Sequence, residues 1–278
     1  PGEEGDRGVQ PADGASQQHQ ERRGPREPGP AAHARPRRGQ QPQQTRGGAR
    51  QQGGHDEVLV EPHGGHLVHR EVLPDDMADI DRHVRIAVSD LDLMDCEQIA
   101  YGTYSPLTGF MDRETLEGVL NENCLPSGIS WTMPIVLQLS QKKVERSTEG
   151  DRVVLTNQDG KPYAFLDITE IYKVNLNEVA KKWFRTDSSS HPGLARFKAH
   201  GNLVVAGEVS LIERVTNISH YNSLLPSQTR FIFSHKRWSK VVGFHTRNVP
   251  HRAHEHIQLS ALEATHADGL FISPVVGP

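Results

Sequence analysis

Two short apolar runs near the C-terminus, with a helical pattern between them, constrain the fold more than any other feature. Residues 241–244 are the first run, which has the pattern of the end of a buried strand, and residues 270–276 are the second. Residues 251–264 between them have the apolar spacing of a helix. A strand, a helix and a strand in this order form a βαβ unit, in which the two strands are parallel. We therefore predict the beginning of a Rossmann-like, nucleotide-type fold over residues 216–278, incomplete because one βαβ unit cannot make a domain.

The loop that joins the first strand to the helix is rich in side chains that bind anions. It contains no glycine, so it matches neither the dinucleotide-binding fingerprint nor a Walker P-loop. A helix N-terminus also offers free backbone N–H groups and the positive end of the helix dipole. We expect any chemistry to be carried by the side chains of this loop and first helical turn: His245, Thr246, Arg247, Asn248, His251, Arg252 and His254.

His251 and His254 are three residues apart, so both project from one face of the predicted helix. There they can donate to phosphate and stabilise charge on a transferred phosphoryl group or a pyrophosphate leaving group. Arg247 adds a planar fork that suits a tetrahedral oxyanion, and Asn248 adds a neutral donor. The spacing alone leaves two alternatives open, namely a zinc site without the H-E-x-x-H pattern and a polar surface helix that is rich in histidine.

Residues 55–215 have the pattern of a compact, mostly β domain with a few short helices. Ser89 and Asp112 are expected helix caps, and a turn at residues 157–160 predicts a β-hairpin. A loop is expected at residues 187–192. The predicted strands are 58–60, 85–88, 131–139, 153–155, 163–168, 171–174 and 203–215, and the predicted helices are 91–99, 112–120 and 177–184.

Residues 1–54 differ in composition from the rest of the chain. They are mainly Pro, Gly, Gln, Arg and Glu, with Val9 as the one large aliphatic residue and no aromatic residue. Such a segment cannot bury enough apolar surface to offset its ordering entropy, so we predict that it is disordered. Contact of its arginines with RNA remains as an alternative. The chain begins at Pro1 instead of Met, so we expect an incomplete sequence with an artefactual head. A peptide map of the natural protein that recovers this segment would contradict that expectation.

Composition excludes several classes of protein. The net charge of −4 gives no overall basic balance for binding nucleic acid. The chain has two cysteines, Cys96 and Cys124, and two cysteines in 278 residues do not make a disulfide framework. We expect both to pack in the core. No apolar run has the length of a membrane span, and the N-terminus lacks a signal-peptide core. These features predict a cytoplasmic protein.

The segment GFHTRNVPHRAHE (residues 243–255) resembles the signature of the ATP sulfurylase, or sulfate adenylyltransferase, family. In that family a Gln-x-Arg-Asn-x-x-His-x-x-His loop binds sulfate and ATP. Further segments in the same order are similar to landmarks of the family's PUA-like N-terminal domain and catalytic domain: PHGG (62–65), SPLTGFM (105–111), WTMPI (131–135), Gly207-Glu208, residues 226–238 and SPVVGP (273–278). The resemblance covers roughly residues 57–278. It implies a PUA-like domain over residues 55–215 and the beginning of a nucleotidyltransferase domain over residues 216–278.

The resemblance implies the reaction of ATP with sulfate to give adenosine 5′-phosphosulfate (APS) and pyrophosphate, with Mg²⁺ on the nucleotide. By position, it implies that Arg247 holds sulfate, with His245 and Thr246 beside it, and that Asn248 positions the reacting phosphate. It implies that His251 and His254 bind the ATP phosphates. It also implies a homo-oligomer when the protein is full length, and no partner among nucleic acids or membranes.

The chain departs from the family's pattern in two places. His245 stands where the family most often has glutamine, so we predict that sulfate is still bound but with greater pH dependence. The family's later Gly-Arg-Asp-type loop has no counterpart within the 278 residues, so we expect the chain alone to be inactive. Two other functions remain as alternatives: a different HxxH nucleotidyltransferase and a PUA-like RNA-binding module, although residues 55–215 show no clear basic, aromatic-rich face.

Overall fold

A computed structural model describes residues 61–188, 190–215 and 224–275. The predicted disordered segment 1–54 and the predicted strand at residues 58–60 lie outside the described residues. In the described part the chain forms a six-stranded sheet and, nearer the C-terminus, a separate two-stranded sheet. The predicted fold class, a mostly β domain followed by the start of a Rossmann-like domain, is confirmed.

The eight strands of the described part are β1 (Val84–Ala87), β2 (Gly109–Phe110), β3 (Leu137–Leu139), β4 (Arg152–Thr156), β5 (Pro162–Lys173), β6 (Leu203–Leu211), β7 (Val241–Thr246) and β8 (Gly269–Pro274). Its α-helices are α1 (Asp90–Ala100), α2 (Arg113–Glu122), α3 (Gln141–Val144), α4 (Leu176–Phe184), α5 (Pro192–Ala199), α6 (Pro226–His235) and α7 (Arg252–Thr265). Short 3-10 helices form at His63–Gly65, Pro74–Met77 and Ile80–Arg82. No helix of the described part has the length and apolar content needed to cross a bilayer.

The large sheet has the strand order β1-β4-β5-β6-β2, and β3 also pairs with β6. The pairing of β1 with β4 is parallel and the other pairings are antiparallel. The predicted hairpin is confirmed, because β4 and β5 are joined at residues 157–160, where the Asn157 side chain accepts from the backbone N–H groups of Asp159 and Lys161. Apolar side chains of this sheet and of α1 and α2 form the core of the domain.

The predicted helix caps are also confirmed. Ser89 accepts a hydrogen bond from the backbone N–H of Asp92, whose carboxylate accepts in return from the N–H of Ser89, so α1 begins with a capping box. Asp112 accepts from the N–H of Thr115 at the start of α2.

The prediction for this domain was wrong about one strand and missed one helix. Residues 131–139 were expected to form one strand, but only Leu137–Leu139 does so. Pro134 has no N–H to pair with a neighbouring strand, and the Trp131 indole donates to the carbonyl of Met133 at 2.6 Å, so the chain turns before β3. Helix α5 was not predicted, and Pro192, the expected end of a loop, is its first residue.

Asp95 on α1 gives a prediction about stability. Burial raises its pKa from 3.8 to about 6, against the opposing effect of the hydrogen bond from Tyr104 and with a contribution from Asp92. The folded protein therefore holds this proton more tightly than the unfolded chain does. Stability from this group is present at low pH and is lost as the pH rises toward 6.

Asp95→Asn keeps an acceptor for the Tyr104 hydroxyl and removes the charge. We expect it to raise the free energy of unfolding at about pH 8 by up to about 3 kcal/mol, and to have a much smaller effect at about pH 4. Denaturant unfolding of both proteins at the two pH values measures this difference. An equal change in the free energy of unfolding at both pH values would contradict the raised pKa of Asp95.

The C-terminal segment is the predicted βαβ unit. Strands β7 and β8 are parallel and in register from Val241 with Gly269 to Thr246 with Pro274, and α7 connects them. Asp268 fixes the start of both strands, because its carboxylate accepts from the Ser239 hydroxyl at 2.8 Å and from the backbone N–H groups of Lys240 and Ser239 at 2.9 and 2.7 Å, and these bonds lower its pKa. Apolar side chains such as Ile257 and Leu259 remain exposed, so this unit has little core of its own.

Candidate active site

The candidate site lies where β7 ends and α7 begins. Strand β7 ends at Thr246, His251 is the N-cap of α7, and the helix continues for 14 residues from Arg252. In open α/β sheets, ligands bind at the carboxyl ends of parallel strands, next to helix N-termini. The predicted anion-binding side chains therefore occupy the position of the fold where such a ligand is expected.

A small turn fixes the first part of the loop. The buried Thr246 hydroxyl accepts from the backbone N–H of Asn248 at 3.1 Å and donates to the carbonyl of Asn248 at 3.2 Å. The backbone N–H of Val275, just after β8, also donates to the carbonyl of Thr246 at 2.8 Å. Arg247 and Asn248 are consequently presented from a held backbone, with both side chains exposed to solvent.

His251 and His254 are joined by reciprocal contacts at the start of α7. The Nδ1 of His251 accepts from the N–H of Ala253 at 3.3 Å, and the Nδ1 of His254 accepts from the N–H of His251 at 3.2 Å. The ring centroids are 4.0 Å apart, with 45° between the planes. Because an Nδ1 that accepts a hydrogen bond carries no proton, this network assigns the proton of each neutral ring to Nε2. Both rings therefore have one N–H donor left for a ligand.

Phe244 supports this pair, a contact that sequence reasoning missed. Its ring meets that of His254 nearly edge-on, with centroids 5.8 Å apart and 71° between the planes. The alternation of side chains along β7 places Phe244 and Thr246 on one face and His245 on the other. That alternation was visible in the sequence, but the sequence did not show that α7 places His254 over Phe244.

The remaining predicted site residues are separate from this pair. Within the described part of the chain, neither His245 nor Arg247 has an ion pair or a side-chain hydrogen bond. Both side chains are exposed, and Arg252 follows on the exposed surface of the first helical turn. The structure thus brings His251 and His254 together and connects Thr246 with Asn248, while the charged group of Arg247 is left available to a ligand.

The alternative of a zinc site finds no support in the described residues, which contain no group of three or more His, Cys, Asp or Glu side chains arranged to hold a metal ion. The buried hydroxyl of Ser105 has a structural role, because it accepts from Val68 N–H and donates to the Gly102 carbonyl. Cys96 is buried, as core packing predicts, whereas Cys124 is half-buried; neither forms a disulfide.

The sequence landmarks of the β domain meet on one side of it. Gly64 lies against Pro106, so closely that an added Cβ would be 2.8 Å from the proline ring. The rings of His63 and Tyr104 both contact Trp131, with centroids 6.1 and 6.4 Å away. The PHGG, SPLTGFM and WTMPI segments are therefore parts of one packed cluster.

Comparisons with known proteins agree with this architecture. The PUA-like domain family matches residues 60–214, and the ATP-sulfurylase family matches residues 221–278. A chain of the hexameric APS kinase from Thiobacillus denitrificans has a similar fold, with a TM-score of 0.61 and 23% identity over 79% of this chain and 40% of that one.

Curated relatives are closer in sequence. The sulfate adenylyltransferase of Pyrococcus abyssi is 38% identical over 224 residues, which is 79% of this chain and 58% of the relative. That of Nostoc punctiforme is 36% identical over 80% of this chain and 58% of the relative. The probable bifunctional SAT/APS kinase 2 of Sorangium cellulosum is 38% identical over 79% of this chain and 38% of its own length.

The chain spans 58% of the length of the first two relatives. The matched region includes both the β domain and the β7–α7–β8 unit. The chain belongs to the PUA-like domain family, which matches more than half of it, and the start of an ATP-sulfurylase domain follows, as in the sulfate adenylyltransferases to which the chain is similar.

Proposed function

We propose that the protein is an enzyme that transfers the adenylyl group of ATP to sulfate, giving APS and pyrophosphate. The observation that carries this proposal is the histidine pair of α7. Two Nε2–H donors stand side by side at a helix N-terminus, after a held turn that presents Arg247 and Asn248. This arrangement suits a ligand with several anionic oxygens.

The proposed reaction is an in-line displacement at the α-phosphorus of ATP. A sulfate oxygen forms a bond to that phosphorus while the bond to the bridging oxygen of the β-phosphate breaks, and pyrophosphate leaves. Sulfate is a poor nucleophile, so positioning and charge neutralisation must lower the barrier. Mg²⁺ enters with ATP as part of the substrate.

Each loop residue has a distinct role in this proposal. The guanidinium of Arg247 binds sulfate, with His245 and Thr246 next to it, and the Asn248 amide positions the α-phosphate. His251 and His254 donate from Nε2 to the ATP phosphates and stabilise the charge that develops on pyrophosphate. Because their Nδ1 atoms already accept from the helix backbone, both rings are oriented before ATP arrives.

The direct test is ATP formation from APS and pyrophosphate, detected with luciferase, by the protein as its source organism makes it. We expect APS-dependent ATP formation that disappears when pyrophosphate is omitted. Absence of ATP formation would overturn the proposed reaction. The 278-residue chain assayed alone is expected to show no turnover, because it contains no counterpart of the family's Gly-Arg-Asp-type loop.

His245 gives a prediction about pH. A histidine side chain changes charge between about pH 5 and 8, and its protonated form donates more strongly to sulfate. We expect the Michaelis constant for sulfate to increase from about pH 6 to 8, and His245→Gln to remove most of this change. A constant that is flat over this range in the unsubstituted protein would contradict the role of His245.

We further propose that the complete protein is a cytoplasmic homo-oligomer. The two unpaired cysteines suit a reducing compartment. Exposed apolar side chains such as Phe231, which is 72% exposed, are suited to contacts between subunits. Light scattering of the natural protein that gives the mass of a monomer would contradict the oligomer.

A further inference from the structure

A second candidate site lies in the β domain, in a groove bounded by α1, β3, α4 and α5. The groove has a volume of about 250 Å³ and is lined by Asp95 of α1, Gln138 of β3, Trp183 and Phe184 of α4, and Phe197 of α5. None of its residues belongs to the loop at residues 245–254, so the proposed adenylyl transfer gives it no role.

Three aromatic side chains form one side of the groove. The rings of Trp183 and Phe197 are nearly perpendicular, at 88°, with centroids 5.7 Å apart. Phe184 packs beside Trp183, with centroids 4.5 Å apart. Adjacent ring faces at a steep angle are the geometry in which an aromatic site encloses a cation, because each face carries negative charge density.

Asp95 provides a carboxylate in the same groove. One of its oxygens accepts from the Tyr104 hydroxyl at 3.1 Å, and within the described part of the chain Asp95 has no ion-pair partner. Burial raises its pKa to about 6, and no cation is among the groups that shift it. A cation that enters the groove would compensate for that burial.

The other charged groups of the groove do not fill this role. The Asp92 carboxylate is already used by the backbone N–H and the hydroxyl of Ser89 at the start of α1. Arg196 and His200 of α5 are exposed, and neither forms an ion pair with Asp95 or shifts its pKa. The carboxylate of Asp95 and the aromatic rings therefore remain as the groups that can bind a ligand.

We propose that this groove binds a small organic ammonium ion, with its cationic head between the Asp95 carboxylate and the rings of Trp183 and Phe197. Aromatic faces attract a desolvated alkylammonium group, and a carboxylate at the same position adds ionic attraction. The groove is large enough for a head group with a short substituent.

The test uses calorimetric titration of the 278-residue chain with choline chloride and with 3,3-dimethyl-1-butanol, an uncharged compound of nearly the same shape. We expect saturable binding of choline and at least about tenfold weaker binding of the alcohol. Asp95→Asn and Trp183→Leu should each weaken choline binding about tenfold or more. Asp187→Asn, which removes an exposed carboxylate outside the groove, should leave it unchanged.

Asp95→Asn is also expected to fold, because the asparagine keeps an acceptor for the Tyr104 hydroxyl, so its result reports on binding. Equal affinities for choline and the alcohol would overturn the proposal. Choline binding that is unchanged by Asp95→Asn, or the absence of saturable choline binding, would overturn it as well.

Discussion

Replacing Arg247 by alanine is expected to weaken APS binding by roughly 10- to 100-fold. A hydrogen bond from a charged group to an anion contributes about 1.5–3 kcal/mol, and the guanidinium of Arg247 has no competing ion pair in the described part of the chain. The backbone turn at Thr246 and Asn248 does not depend on the Arg247 side chain, so the loss should not come from unfolding. Calorimetric titration with APS measures the effect.

Two further variants separate the geometry of Arg247 from its charge. Arg247→Lys keeps the charge without the planar fork, so we expect an intermediate loss of APS affinity. Arg237→Ala removes an exposed arginine that lies before β7 and should have no effect. Equal affinity of the Arg247→Ala variant and the unsubstituted chain would show that this side chain does not bind the sulfate group.

Replacing Glu97 by alanine is expected to lower the free energy of unfolding by about 3 kcal/mol. Glu97 is buried, and its carboxylate accepts from the guanidinium of Arg214 and from the backbone N–H of Val215, both at 3.0 Å. The alanine variant leaves Arg214, which is 25% exposed, and the N–H of Val215 without these acceptors. Partial exposure of Arg214 keeps the cost near the lower end of the range for buried pairs.

The control for Glu97 is another glutamate of the same region. Glu213 forms an ion pair with Lys161 at 2.6 Å, but both side chains are about half exposed. Exposed pairs contribute little, so Glu213→Ala should leave denaturant unfolding nearly unchanged. A similar loss in both variants would indicate that burial of Glu97 is not what makes its ion pair important. Glu97 also anchors Val215, the last described residue before the C-terminal segment resumes at Leu224.

The sequence predicted the βαβ unit well because each of its elements has a strong local pattern. The apolar strands β7 and β8 and the amphipathic α7 were all expected, and so was their parallel pairing. The predicted helix included His251, but in the structure His251 is the N-cap. Histidine is not among the residues usually preferred at that position, so sequence alone did not reveal that its ring accepts a backbone hydrogen bond.

The two errors in the β domain have different physical causes. Pro134 and Ile135 before β3 are buried by tertiary packing instead of strand pairing, and Trp131 is held by contacts with His63 and Tyr104, which are distant in sequence. Helix α5 has eight residues, too few for a clear helical period. Pro192 at its first position was an available signal, and the His191 ring caps the helix by accepting from Leu194 N–H.

The central claim is that the loop between β7 and α7 binds the anionic groups of the reactants, with the histidine pair holding the phosphates of ATP. The most direct measurement is a calorimetric titration of the 278-residue chain with ATP and Mg²⁺, repeated with His254→Ala and with His256→Ala. His254 contacts the other histidine and Phe244, whereas His256 is exposed two residues further along α7. We predict saturable ATP binding that is weakened at least about tenfold by His254→Ala and unchanged by His256→Ala. The absence of ATP binding, or an equal effect of both substitutions, would contradict the claim.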